Sequence, residues 1–304
     1  MLSLLKSTKF IKDAFISTIK GVFMDWGLKN RLSGIFNSKS GRTVMLAVDH
    51  GYFQGPTTGL KNPKESINQL LPYCDSLFIT RGILRNCISP NIRVPVFLRV
   101  SGGTSVLKDD LSNEEITTSM EEALRLNVSG VGMSIFVGGQ HETKTISNLG
   151  KLINEAEKYG MPVLAITAVG KEMARDARYI GLATRIAAEI GAHMVKTYYC
   201  EPDFDKVVEG CPVPIVIAGG KKIPEKEALQ MASNAISQGA KGVDMGRNIF
   251  QSENPIAMIQ AVRAVVHDNY TADEAFELFN NLKGKKNVSK KADSSVCDVS
   301  AEKQ

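Results

Sequence analysis

Lys196 stands in the run Met194-Val195-Lys196-Thr197-Tyr198-Tyr199, among apolar and aromatic neighbours. An ammonium is costly to hold in such surroundings. The side chain therefore finds a carboxylate partner, or gives up its proton and becomes a nucleophile toward carbonyls. Taken alone, the residue supports a structural ion pair and a Schiff-base lysine equally. Lys171, in Val169-Gly170-Lys171-Glu172, is a second amine. A loop lysine beside Glu172 suits substrate binding or a surface ion pair better than covalent chemistry.

Two glycine-bearing segments follow apolar runs: Ala218-Gly219-Gly220-Lys221-Lys222 and Met245-Gly246-Arg247-Asn248. Glycines let backbone N–H groups come close to an anion, so Gly219, Gly220 and Gly246, with Arg247, are candidates to hold a phosphate. Lys221 could add charge, although solvent exposure is the plainer reading for it and especially for Lys222. Asp49 and His50 close the run Val44–Val48. Asp49 could orient or deprotonate an imine intermediate; it could equally pair with Lys196 or cap the next segment. His50 is a candidate proton shuttle or a hydrogen-bonded support. Arg81 and Arg99 also sit near the ends of apolar runs.

These residues need a scaffold that brings strand ends together. Short β-branched runs alternate with amphipathic stretches at helical spacing, the pattern of a parallel α/β sheet. Eight strands are expected: Val44–Val48, Leu77–Thr80, Val94–Val100, Gly130–Ile135, Pro162–Thr167, Met194–Thr197, Val213–Ala218 and Gly242–Met245. Helices are expected between them, among them Glu114–Leu126, Leu182–Ile190 and Glu225–Gln238. Eight such units predict a closed (β/α)8 TIM barrel, whose active site lies at the carboxyl ends of the strands and whose phosphate sits at the loops after strands seven and eight. An open dinucleotide-binding sheet is disfavoured, because Asp49-His50-Gly51-Tyr52 follows the first strand where that fold requires a glycine fingerprint.

The composition is that of an ordinary globular enzyme, 43% hydrophobic and 23% charged over 304 residues. No apolar run is long enough to span a bilayer. The net charge of +5 is mild and no basic stripe is interleaved with aromatics, which speaks against nucleic acid. Five scattered cysteines without C-x-x-C spacing point to neither zinc nor a redox pair and suit a reducing, cytoplasmic setting. Residues 1–36 read as an N-terminal helical extension, 37–280 as the barrel, and 281–304 as a disordered polar tail. Met1–Lys20 is apolar and basic with Asp13 its one acid. A docking helix is the expectation there, ahead of an organellar transit peptide.

Four stretches together are specific: Asp25-Trp26-Gly27-Leu28-Lys29-Asn30-Arg31-Leu32, the run from Val44 through Asp49-His50-Gly51-Tyr52 to Gly59, Lys196-Thr197-Tyr198-Tyr199, and Asp244-Met245-Gly246-Arg247-Asn248-Ile249-Phe250-Gln251. In these the chain resembles the archaeal-type class I aldolases of the DhnA family, from about Met24 to Phe279. The resemblance implies a barrel, a Schiff-base lysine at Lys196, phosphate held at Gly219–Gly220 and Gly246–Arg247, and a homo-oligomer, a decamer or pentamer. It is strongest to a thiolase branch of the family, which implies a phosphorylated keto substrate, coenzyme A as co-substrate, and no bound cofactor or metal. A class I aldolase acting on fructose 1,6-bisphosphate or a related sugar phosphate is the alternative, and a non-catalytic sugar-phosphate binder a second. One departure stands out. Family aldolases carry an acid/base tyrosine after the fourth strand, where Ser134-Ile135-Phe136-Val137-Gly138-Gly139 places Phe136, and a phenyl ring exchanges no proton. The thiolase branch aligns with tyrosine there too, so Phe136 does not by itself choose between the activities; the proton work would fall to Asp49, His50, His141 or water.

Overall fold

The computed structural model of the chain describes residues 26–168 and 175–294. Eight parallel strands close into a barrel in chain order: β1 (Thr43–Ala47), β2 (Ser76–Thr80), β3 (Val96–Arg99), β4 (Gly130–Ile135), β5 (Val163–Thr167), β6 (Met194–Thr197), β7 (Ile215–Ala218) and β8 (Gly242–Met245), which pairs back to β1. Each corresponds to one of the eight expected runs. The helices that carry the chain around the barrel are α1 (Trp26–Ile35), α2 (Pro63–Asn68), α3 (Arg81–Cys87), α4 (Met120–Arg125), α5 (Glu142–Glu157), α6 (Ala177–Glu189), α7 (Phe204–Gly210), α8 (Glu225–Ser237), α9 (Pro255–Asp268) and α10 (Ala272–Ser294).

Strand register dictates which inward side chains share a level. Lys196 lies opposite Val216, and two residues further along β7 Ala218 lies opposite Asp244. Repeating this step of two around the barrel, Asp244 meets Met45 and Ala47 meets Phe78; Phe78 meets Phe97 and Arg99 meets Gly132; Gly132 meets Leu164 and Ile166 returns to Lys196. The even-numbered strands thus contribute one layer of four: Phe78, Gly132, Lys196 and Asp244. Layers built from alternate strands are the way such barrels fill. The layer beneath, from the odd-numbered strands, is Met45, Phe97, Leu164 and Val216, all fully buried. Burying each of these side chains stabilises the fold by roughly 1.5–3 kcal/mol.

Below that apolar layer α1 closes the barrel. Leu32, Ile35 and Phe36 recur at helical spacing and pack against Met45, Phe97, Leu164, Met194 and Val216. On the same end, Asp75 accepts the Val44 N–H at 2.7 Å and pairs with His267 at 2.8 Å and Arg263 at 3.0 Å, which ties the start of β1 to α9.

Two expectations are corrected. Glu114–Leu126 is not one helix: Glu115–Ile116 forms a short antiparallel ribbon with Ser101–Gly102, and only Met120–Arg125 is helical, capped by Ser119. Glu114 is drawn out of the expected helix because Arg99 and Ser101 bind its carboxylate inside the barrel. The boundary at residue 280 does not hold either, since α10 runs on to Ser294. Lys, which recurs five times between residues 281 and 294, is a good helix former, so loss of apolar periodicity does not stop a helix. Residues 1–25 and 295–304 lie outside the described residues.

Candidate active site

Lys196 projects from the third position of β6 into the barrel and is 9% exposed. Its Nζ lies 2.7 Å from Asp244 Oδ2, and the Phe78 ring centroid stands 5.4 Å from the same nitrogen. Asp244 holds the third position of β8 and is 1% exposed. Burial pushes its carboxyl up to about 6; Lys196 opposes that rise and the charge of Asp49 adds to it. Apart from the ion pair, neither carboxylate oxygen has a hydrogen-bond partner among the described residues. A carboxylate so poorly solvated holds a proton more readily than an ordinary aspartate.

Above this layer Arg99, from the end of β3, is a buried hub. Its Nη2 donates to both oxygens of Glu114, at 2.9 and 2.8 Å, and to Ser134 Oγ at 2.8 Å; its Nε donates to the Ser101 carbonyl at 3.1 Å. Nη1 lies 3.5 Å from Asp49 Oδ2. Tyr52 accepts from Arg99 and donates to Glu114, and Ser101 Oγ donates to Glu114 at 2.7 Å. Burial opposes the Arg99 charge, yet Tyr52, Glu114 and Asp49 outweigh it and hold the guanidinium above its ordinary value. Burial and the Glu114 charge raise the Tyr52 phenol against the pull of Arg99, so Tyr52 is a poor proton donor.

Asp49, past the end of β1, therefore pairs with Arg99 and leaves Lys196 to Asp244. His50 Nε2 lies 3.2 Å from Thr57 Oγ1 and its ring stacks on Phe250, centroids 5.4 Å apart. Burial lowers the His50 pKa; Asp49 opposes that fall, and Arg247 and Lys196 reinforce it. An imidazole held below its ordinary value is neutral at pH 7 and able to accept a proton. Phe136, just past β4, is 9% exposed and offers no acid or base. His141 stands in a half-exposed pair with Asp110 at 3.7 Å.

The two glycine loops meet at the carboxyl ends of β7 and β8. Asn248 joins them, its Nδ2 donating to the Gly219 carbonyl at 2.5 Å and its Oδ1 accepting the Ile223 N–H at 2.9 Å. Gly220 takes a φ of +68°, which favours glycine. Arg247 is half-buried beside Tyr198 and His50. Lys221 faces solvent, as the plainer reading had it, whereas Lys222 is partly buried and tied to Glu225 at 2.9 Å. Lys171 lies outside the described residues. On the side of β2 and β3, the mouth opens into a cavity of about 240 Å³ lined by Tyr52, Thr80, Arg81, Arg99, Ser101, Gly102, Gly103, Thr117 and Thr118.

The barrel thus gathers Lys196, Asp49, His50, Gly219, Gly220, Gly246 and Arg247 at one end. Reading the residues as a sequence missed Asp244, Glu114, Tyr52 and Ser134. A signal for Asp244 was present: it is the one acid in Gly242-Val243-Asp244-Met245, at the same ordinal place as Lys196 in its own strand. Nothing local marked Glu114.

Residues 43–252 match the DeoC/LacD family aldolases. A protein of Photorhabdus laumondii named 3-hydroxy-5-phosphonooxypentane-2,4-dione thiolase is 58% identical, covering 84% of this chain and 88% of that protein. The protein of that name from Escherichia coli K12 is 56% identical, covering 86% of this chain and 90% of that protein. Among solved structures, an archaeal fructose-1,6-bisphosphate aldolase, with its catalytic Lys covalently bound to the carbinolamine intermediate of its substrate, gives a TM-score of 0.72. It is 27% identical and covers 79% of this chain and 99% of that chain.

Proposed function

Because the chain belongs to the DeoC/LacD family of aldolases, we propose that it is a Schiff-base-forming thiolase of 3-hydroxy-5-phosphonooxypentane-2,4-dione, with Lys196 as the covalent residue and coenzyme A as the acetyl acceptor. The observation that carries this reading is the Lys196 amine, buried on the inner wall of the barrel toward the end where the two glycine loops meet. Relatives 56–58% identical over most of the chain bear the name of this activity.

The substrate phosphate rests at Gly219, Gly220 and Gly246, with Arg247 supplying positive charge. Lys196 condenses with the ketone next to the phosphate-bearing carbon, and the resulting iminium withdraws electrons from the adjacent bond. The thiolate of coenzyme A adds to the acetyl carbonyl. Collapse of that adduct breaks the bond between the acetyl carbon and the hydroxyl-bearing carbon, and the electron pair enters an enamine on Lys196. A proton equivalent to the one lost by the thiol is delivered to the hydroxyl-bearing carbon, and hydrolysis of the imine releases dihydroxyacetone phosphate and acetyl-CoA. His50, neutral and near both Asp49 and Arg247, is placed to carry that proton. The acetyl group leaves to sulfur, so no alcohol need be deprotonated as in aldol cleavage. Phe136 is compatible with that route.

Borohydride trapping with dihydroxyacetone phosphate, followed by peptide mass spectrometry, should place the adduct on Lys196. Lys196→Ala should abolish it, and Lys196→Arg should be equally inert because a guanidinium stays protonated. Trapping that survives both changes assigns the chemistry to another amine. The likeness to archaeal fructose-1,6-bisphosphate aldolases favours class I aldolase activity as the second reading. Cleavage of fructose 1,6-bisphosphate without coenzyme A would establish it in place of the thiolase. Ligand binding with neither turnover nor trapping would leave a non-catalytic barrel. A homo-oligomer, pentamer or decamer, fits the exposure of Trp26 and Leu182, and solution mass measurement tests the assembly.

A further inference from the structure

Class I chemistry needs a group at the lysine nitrogen that can hold a proton for part of the cycle. As the ketone is attacked the ammonium proton must go somewhere, and a proton must reach the carbinolamine hydroxyl before water can leave. Several side chains near the mouth are already committed. Asp49 pairs with Arg99 at 3.5 Å, and Glu114 accepts from Arg99, Ser101 and Tyr52. His50, which contacts Thr57, is assigned the enamine proton instead, and Phe136 has no proton to exchange.

Asp244 differs from all of these. It shares a barrel layer with Lys196, its Oδ2 is 2.7 Å from Nζ, and its side chain is fully shielded from solvent. Among the described residues it has no hydrogen-bond partner beyond that ion pair. The strands on either side of it supply little else that could stabilise its charge: β7 sets Ala218 opposite it and β1 sets Met45 opposite it. The charged groups that bear on it are Lys196 from β6 and Asp49 past the end of β1. A purely structural partner for a buried lysine would gain from further donors to its carboxylate, and the described residues supply none.

We propose that Asp244 is a catalytic residue, the proton partner of Lys196 in forming and hydrolysing the imine. Asp244 takes the proton from the Lys196 ammonium, leaving a neutral amine that adds to the ketone carbon; the carbonyl π pair moves to oxygen, which receives one of the two protons left on nitrogen to give the neutral carbinolamine. Asp244 then gives its proton to the carbinolamine hydroxyl; the C–O bond breaks, water departs, and the nitrogen lone pair completes the iminium. The carboxylate is restored and stands as counter-ion to the new positive charge. Hydrolysis of the product imine runs the same steps in reverse, so protons and electrons balance over the cycle.

The inference rests on the reading of Lys196 as the imine-forming residue, and the test separates the two. Full-length wild-type protein and Asp244→Asn are incubated with dihydroxyacetone phosphate and cyanoborohydride between pH 5 and 8, and the rate of Lys196 modification is measured by mass spectrometry. Asp244→Asn should slow trapping by about 100-fold or more, the lower range for a positioned acid or base, with affinity for dihydroxyacetone phosphate little changed. The wild-type rate should fall on the acid side with a midpoint near 6, and Asp244→Asn should lose that limb. Asp244→Glu, which keeps a carboxylate, should recover part of the rate. Equal rates and profiles in wild type and Asp244→Asn would overturn this inference alone. No trapping in the wild type would overturn the imine reading and this inference with it. If Asp244→Asn fails to fold, the wild-type profile decides, and a rate independent of pH over that range overturns the proposal.

Discussion

The Phe78 ring fills the space that a side chain at Gly132 would occupy: a β-carbon there would stand 2.8 Å from Phe78 Cε2 and 3.0 Å from Cζ. The two residues belong to the layer that holds Lys196 and Asp244, and the ring is a wall of the lysine's surroundings. Large and small side chains interlock here, so the absence of a methyl group on β4 sets where the ring lies.

Gly132→Ala should therefore act on stability and on chemistry together. Overpacking of a tight core costs about 1–3 kcal/mol, and the displaced ring has Lys196 on its open side. A lowered denaturation midpoint with slower trapping of dihydroxyacetone phosphate is the expected outcome. Wild-type values of both would show that the ring moves away freely.

Glu114→Gln should destabilise the mouth without touching Lys196. The site places donors from Arg99, Ser101 and Tyr52 around the carboxylate, and an amide offers one oxygen and two further N–H donors in its place. Breaking a buried pair from one side costs about 3–5 kcal/mol. Chemical denaturation should show a loss of that size. Since Asp49 would then be the remaining carboxylate for Arg99, kcat should also fall.

Arg247→Met should raise KM for the phosphorylated substrate by roughly tenfold to a hundredfold, the range of one charge-assisted hydrogen bond. Trapping of an unphosphorylated ketone such as dihydroxyacetone should change little. Equal losses with both ketones would place Arg247 elsewhere than at the phosphate.

Asp75 supplies a pH-dependent contribution at the opposite end of the barrel. Burial alone would raise its pKa, but the hydrogen bonds from His267 and the Val44 N–H, with the charges of His267 and Arg263, outweigh burial and hold it below its ordinary value. A carboxyl depressed in the folded state stabilises the fold above its unfolded pKa, and that stability is lost as pH falls through the folded value. Asp75→Asn should thus melt below the wild type at pH 7, by about 1–3 kcal/mol, and the difference should shrink toward pH 3. Trapping at Lys196 should be unaffected at pH 7. A constant gap across that range would show that the Asp75 charge contributes nothing.

Much of this protein is legible in its sequence. β-branched runs separated by helical spacing marked all eight strands, because backbone pairing and burial in a parallel sheet are written into local composition. The strand ends then named Lys196 and the two glycine loops, since a barrel brings such ends to one face whatever lies between. The partner of Lys196 was another matter. Asp49 and Asp244 were both acids near strand ends, and choosing between them depends on how eight registers add up when the sheet closes, a sum that no single segment contains. Glu114 was misread as part of a helix for a related reason: the pull on it comes from Arg99, fifteen residues away in sequence and visible only once β3 stands inside the barrel. Local sequence decided the elements, and closure of the sheet decided which buried charges face one another, because the stability of a buried ion depends on neighbours that only the tertiary fold brings within reach.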